Sequence, residues 1–88
     1  MFYELMPKFN NQKSFYNKAI IEESKNEKKL YSYGTLVAIY SNGNLEISSN
    51  YNYLTNTTLK HVKDFMFQLE MKPLKKWDLY KTYKTEKF

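Results

Sequence analysis

Leu30-Tyr31-Ser32-Tyr33-Gly34-Thr35-Leu36-Val37-Ala38-Ile39-Tyr40-Ser41-Asn42-Gly43-Asn44-Leu45-Glu46-Ile47 is the stretch on which the fold turns. It is dense in β-branched and aromatic side chains, which suit a pleated, half-buried surface. Asn42-Gly43 then separates two apolar runs, and Asn-Gly in that setting is the strongest short signal for a two-residue hairpin. On the return, Leu45 and Ile47 alternate with Glu46 and Ser48, giving one buried face and one wet face. Gly34 divides the first run, either as a bulge within one long strand or as a tight break between two.

Outward from this hairpin, Phe15, Ala19 and Ile21 fall at strand-like even spacing within 15–24, and Asn26 with its charged neighbours marks a turn. Residues 1–14 read as a short ordered piece followed by a polar loop. On the other side, 48–56 is polar but carries Tyr51, Tyr53 and Leu54. Asn56-Thr57-Thr58 supplies oxygens suited to capping a helix start. Leu59, Val62, Phe65, Met66 and Leu69 then form one apolar stripe, with Lys60, Lys63, Asp64 and Gln68 largely outside it. Pro73 is expected to stop this helix and to open a second one. There Leu74, Trp77, Tyr80 and Tyr83 recur every three residues among lysines, with fraying expected after Tyr83.

The expectation is an α+β domain: an antiparallel sheet of three or four strands, covered on one face by one main helix, with a short basic C-terminal helix. Its parts are an N-terminal segment (1–14), the sheet (15–49), the main helix (56–71) and a basic terminal segment (72–88). A sheet buried against one helical stripe is the minimal two-layer solution for 88 residues. That length holds one domain.

Composition narrows the chemistry. The absence of cysteine excludes disulfides and cysteine-bound zinc. One histidine excludes a two-histidine metal motif. No apolar run approaches the roughly 18 residues of a membrane span, and Met1-Phe2-Tyr3-Glu4-Leu5 lacks the form of a signal peptide, so a cytoplasmic setting is expected. All 14 basic residues are lysine; bidentate reading of guanine is mostly arginine work, so a major-groove reader is disfavoured. Charge is uneven: residues 1–71 carry eight lysines against seven acids, and 72–88 carry six against two.

Catalysis finds little support. Gly34 and Gly43 serve backbone geometry, not a phosphate loop. His61 is the one side chain suited to proton transfer near neutral pH, but its place off the apolar stripe points to a boundary histidine with structural hydrogen bonds. Glu22 and Glu23 are strand neighbours that face opposite ways. No cofactor or metal is expected.

The stronger feature is aromatic residues interleaved with lysine. Tyr51, Tyr53, Lys72, Lys75, Lys76, Trp77, Tyr80, Lys81 and Lys84 are the candidate partner-binding residues. Tyrosine and tryptophan anchor protein interfaces, and stacking rings beside a cationic track also serve single-stranded nucleic acid. The same rings could instead complete the core. The 73–84 segment has too few large apolar residues for strong membrane binding.

Three stretches together carry a resemblance: Ser14-Phe15-Tyr16-Asn17-Lys18-Ala19, Leu30-Tyr31-Ser32-Tyr33-Gly34-Thr35-Leu36-Val37-Ala38, and Asn56-Thr57-Thr58-Leu59-Lys60-His61-Val62-Lys63-Asp64-Phe65. Over 14–70 the chain resembles a family of small bacteriophage and prophage proteins of unknown function, whose SFYGKA, SY-x-T-x-VA and TT-x-x-H patterns occur in this order. Asn17 stands where that pattern has glycine; asparagine tolerates positive φ next best. The resemblance implies a phage-encoded accessory protein acting in the host bacterial cytoplasm. By analogy with small phage proteins that inhibit host systems, anti-CRISPR proteins among them, the expected role is non-enzymatic binding and inhibition of a host protein or nucleoprotein. The alternative is a protein that binds RNA or single-stranded DNA. The net charge of +5 speaks against a DNA mimic, and a symmetric homodimer is compatible with either role.

Overall fold

The computed structural model describes all residues 1–88. The Asn-Gly hairpin forms as its sequence demands: β4 (Thr35–Ser41) and β5 (Asn44–Ile47) flank Asn42 and Gly43, both at positive φ. Gly34 is a break between strands. With Tyr33 it forms the two-residue turn between β3 (Glu27–Ser32) and β4, while the bulge in that pair lies at Leu30/Tyr31. β2 (Ala19–Glu23) pairs with β3 across a three-residue loop.

A fifth strand comes from the segment expected to stand outside the sheet. β1 (Phe2–Glu4) pairs with β2, so the sheet is a five-stranded antiparallel meander in the order β1-β2-β3-β4-β5. The 15–24 stretch is correspondingly shorter as a strand. Tyr16 and Asn17 both have positive φ, and Lys18 N–H closes a turn on the Phe15 carbonyl at 3.0 Å, so pairing starts at Ala19. Phe15 is still buried, reached from a turn instead of a strand. Asn17 adopts the φ of +62° that its place in the glycine pattern suggested.

The core lies on one face. Ile21, Leu30, Ala38 and Ile47 form a row of cross-strand neighbours through the sheet, all fully buried. Over them lies α1 (Asn56–Gln68), contributing Leu59, Val62, Phe65 and Met66, with Leu69 partly buried at its end. Its N-cap is Thr55, whose Oγ1 accepts from Thr58 N–H, one residue before the expected cluster. Its end is a Schellman motif and not Pro73: Met71 N–H reaches the Met66 carbonyl, Glu70 N–H reaches Phe67, and Glu70 takes φ +61°.

α2 (Lys76–Tyr83) begins three residues beyond Pro73, with Lys75 as an N-cap that makes no side-chain hydrogen bond. Its buried residue is Leu79, which the three-residue stripe omitted; Tyr80 and Tyr83 pack beside it, and Trp77 faces out. The chain after Tyr83 does not fray. Lys84 bridges Ile47 in parallel, Thr85 N–H donates to the Ile47 carbonyl, and Ser49 N–H donates to Phe88. This covers the β5 edge, leaving β1 as the open edge, with exposed Phe2 upon it. No helix is long and apolar enough to cross a membrane.

Candidate functional site

Of the nine candidate partner-binding residues, the structure gathers five around one aromatic cluster. Tyr51, in the single 3₁₀ turn Tyr51–Tyr53, meets Tyr80 edge-on at a 5.0 Å centroid distance and Trp77 at 6.1 Å. Trp77 and Tyr80, three residues apart on α2, lie nearly parallel at 6.3 Å. Lys76 Nζ sits 4.2 Å from the centre of the Tyr51 ring, and Lys84 Nζ sits 5.6 Å from that of Tyr80. Tyr80 is pinned in turn, its hydroxyl donating to the Ser49 carbonyl at 2.7 Å. The Trp77 side chain remains 59% exposed.

The other four stand apart from this cluster. Lys81 is paired with Asp78 at 3.7 Å on the outer side of α2. Lys72 and Lys75 are exposed in the segment joining the helices. Tyr53 turns away and lines a shallow hollow with Tyr33, Thr35 and Thr58. The basic segment is thus a packed part of the domain that presents a tryptophan.

A second constellation, not anticipated as a site, runs along α1. The loop between β1 and β2 is long, and Asp64 holds it down. The carboxylate is fully buried and accepts from the backbone N–H groups of Lys8, Phe9 and Asn10, from Asn10 Nδ2 and from Gln68 Nε2, at 2.8–3.2 Å. Burial pushes its pKa up, but the donors from Asn10, Lys8 and Gln68 outweigh this and hold it below the usual carboxylate range. Sequence periodicity had placed Asp64 outside the buried stripe. A carboxylate supplied with five donors can be buried there, and no hydropathy pattern reports those donors.

His61 is also buried, not at a boundary, with 1% of its surface exposed. Its hydrogen bonding is structural as expected: Nδ1 lies 2.8 Å from Ser32 Oγ, which lies 2.8 Å from Thr58 Oγ1. Phe15 packs edge-on against the imidazole at 4.6 Å and Tyr33 leans over it at 5.8 Å. Burial lowers its pKa against an opposing pull from the Asp64 charge, so the ring is neutral at pH 7. No group of three or more acidic or histidine side chains is placed to hold a metal.

These contacts join the three motifs picked out in the sequence. Ser14–Ala19, Ser32–Thr35 and Thr57–His61 come together around a cleft of about 240 Å³. The sequence pattern of a family of unknown function, DUF8033, matches residues 3–81, from β1 into α2. The chain belongs to that family. The DUF8033 match includes both the cleft and the aromatic cluster through Lys81, beyond the 14–70 stretch over which the resemblance was drawn. No curated protein and no solved structure matches the chain.

Proposed function

We propose that the protein is a non-enzymatic accessory protein that binds and blocks a partner protein or nucleoprotein through the aromatic–lysine face of α2. The observation that carries this reading is the Trp77 side chain. It is the largest side chain type in the protein, is more than half exposed, and is held in place by Tyr51 and the anchored Tyr80. Exposed, preorganised tryptophan with tyrosine neighbours is the usual make-up of an interface hot spot. The lysines around it suit an acidic surface and would speed encounter more than they add affinity.

A protein surface fits this face better than a free nucleic-acid strand. Stacking of successive bases needs open ring faces, yet Lys76 covers one face of Tyr51, Lys84 lies over Tyr80, and Trp77 and Tyr80 lie against each other. The resemblance to phage and prophage proteins supports a host target in the bacterial cytoplasm, a CRISPR–Cas or other defence complex among the candidates.

The test is affinity capture of host proteins by the intact chain and by Trp77→Ala, with and without nuclease. A specific host protein retained after nuclease by the native chain, and lost with Trp77→Ala, supports the reading. Capture that nuclease abolishes, with binding that falls steeply with salt, instead moves the function to single-stranded nucleic acid.

A further inference from the structure

The His61 cleft has the chemistry of an anion site with flanking rings. Its cationic groups are Lys18 and Lys60, neither of which has an acidic partner within 4 Å, and no carboxylate lines it. Thr57, in the first turn of the 13-residue α1, forms part of the wall, and the free N–H groups of such a turn favour an anion.

The proton on His61 can be assigned from the buried relay. Thr58 Oγ1 has Ser32 Oγ as its one side-chain neighbour in hydrogen-bonding range, and Ser32 Oγ has Thr58 and His61. Only one orientation uses every hydroxyl proton: Thr58 donates to Ser32, and Ser32 donates to Nδ1 of the neutral imidazole. The ring proton then sits on Nε2. Nε2 makes no hydrogen bond within the chain, yet no buried side-chain polar atom is left unpartnered, so Nε2–H opens into the cleft that His61 lines. A nearly buried donor thereby borders the cleft that Lys18 and Lys60 also line.

Backbone strain marks the same place. Tyr16 and Tyr33 have φ of +53° and +52°, a region where a bulky side chain is unusual, and the turn type favours asparagine or glycine at that position. Tyr16 and Tyr33 are 71% and 56% exposed, so burial of the rings does not account for the strain. The Tyr16 turn is braced from outside: Ser14 Oγ accepts Tyr16 N–H, and Glu4 Oε2 accepts both Asn17 N–H and the Ser14 hydroxyl. Both tyrosines line the cleft.

We propose that this cleft binds a nucleotide, with its phosphate taken by Lys18, Lys60 and His61 Nε2–H and its base laid against Tyr16 or Tyr33. Stacking on tyrosine is available to any base, so the site selects for a phosphate beside a flat ring and not for sequence. The volume of about 240 Å³ accommodates a phosphate and its near surroundings, and leaves the base at the exposed rim where the rings stand. This site uses residues separate from the α2 face and stands independently of the function proposed above.

The test follows the ring signals of the single histidine by NMR while AMP, adenosine, inorganic phosphate or a short 5′-phosphorylated DNA strand is added. AMP should move the His61 signals, and adenosine and phosphate should each bind at least about tenfold more weakly. Lys18→Gln and Lys60→Gln, both on exposed side chains that leave the relay intact, should each weaken AMP about tenfold. A phosphorylated strand that binds more tightly than AMP identifies a strand end as the source, and equal or weaker binding identifies the free nucleotide. His61 signals that stay fixed at millimolar AMP, or AMP affinity unchanged in the Lys18→Gln, Lys60→Gln double variant, overturn the proposal. Phosphate binding as tightly as AMP removes the role of the rings.

Discussion

The two helices are secured to the sheet by opposite means. α1 buries seven of its residues over the sheet and adds two polar hubs, Asp64 and the Ser32–Thr58–His61 relay, that tie it to the β1–β2 loop and to β3. α2 buries one residue, Leu79, and otherwise relies on the Tyr80 hydroxyl and on the strand-edge bonds of the chain after it. The difference separates two kinds of surface. Around α1 the backbone is held from several sides, so strained tyrosines can be kept in place. Beside α2 an exposed tryptophan sits on an element with few buried ties, its ring placed by Tyr51 and Tyr80 at the surface and not by the core.

The comparison is broken hardest at Asp64. Asp64→Ala leaves three backbone N–H groups and two side-chain donors without their acceptor, and should cost about 3–5 kcal/mol, a large share of the roughly 5–15 kcal/mol that holds a typical domain together. Urea unfolding measures it, and a loss below about 1 kcal/mol would show that water or a neighbour replaces the carboxylate. Because the folded pKa of Asp64 lies below its unfolded value of about 3.9, its contribution is present above that pH. It is lost as the pH falls through the folded value. His61, also depressed, acts earlier: stability should begin to drop below its unfolded value of about 6.5, as the unfolded chain takes up a proton that the folded chain resists. Asp64→Asn should remove the lower of these two acid steps and leave the upper one.

On the α2 side the matching experiment is Leu79→Ala. Truncating a fully buried leucine costs about 2–5 kcal/mol, but here the loss should stay local. Hydrogen exchange should speed up at α2 and at Thr85 N–H, while the Ile21–Leu30–Ala38–Ile47 row keeps its protection. Trp77→Ala, on the same helix, should change folding stability by less than about 1 kcal/mol because its ring is mostly in water. If Leu79→Ala instead opened the whole sheet, the two helices would belong to one cooperative unit and the contrast would fail.

Much of this arrangement could be read from sequence where side-chain periodicity reports burial. The Asn42-Gly43 hairpin and the Leu59–Met66 stripe are of that kind, because one face of each element meets the core. Three features escaped for physical reasons. β1 is a three-residue edge strand whose Phe2 is exposed, so no apolar alternation announces it. Asp64 is buried mostly by donors of the Lys8–Asn10 loop, more than fifty residues away, which local patterning does not register. In α2 the anchor is Leu79 and not Trp77. On a helix of 3.6 residues per turn a three-residue step drifts by about 60°, so Trp77 leaves the face that Leu79, Tyr80 and Tyr83 share against the core. Of the candidate binding residues, Lys76, Trp77 and Tyr80 are neighbours on α2 and Lys84 follows it, whereas Tyr51 joins them from the 3₁₀ turn after β5 through contacts that spacing along the chain does not announce. The His61 cleft was visible only as three ordered motifs with no geometry to connect them.

The finest test concerns the strain itself. Tyr16→Asn places the residue that the turn prefers at φ +53°, and changes a side chain that is 71% exposed. Where the native conformation is costly for tyrosine, the substitution should raise stability by about 1 kcal/mol, read as a shift in the urea midpoint. The bonds that the Tyr16 and Asn17 N–H groups donate to Ser14 Oγ and Glu4 Oε2 do not involve the Tyr16 ring and should persist. If this more stable variant binds AMP less well than the native chain, the strain is kept for the ring that it positions, as trade-offs between stability and function require. Equal stability in the two proteins would mean that the Ser14 and Glu4 brace absorbs the whole cost. The contrast with α2 would then rest on Asp64 and the relay alone.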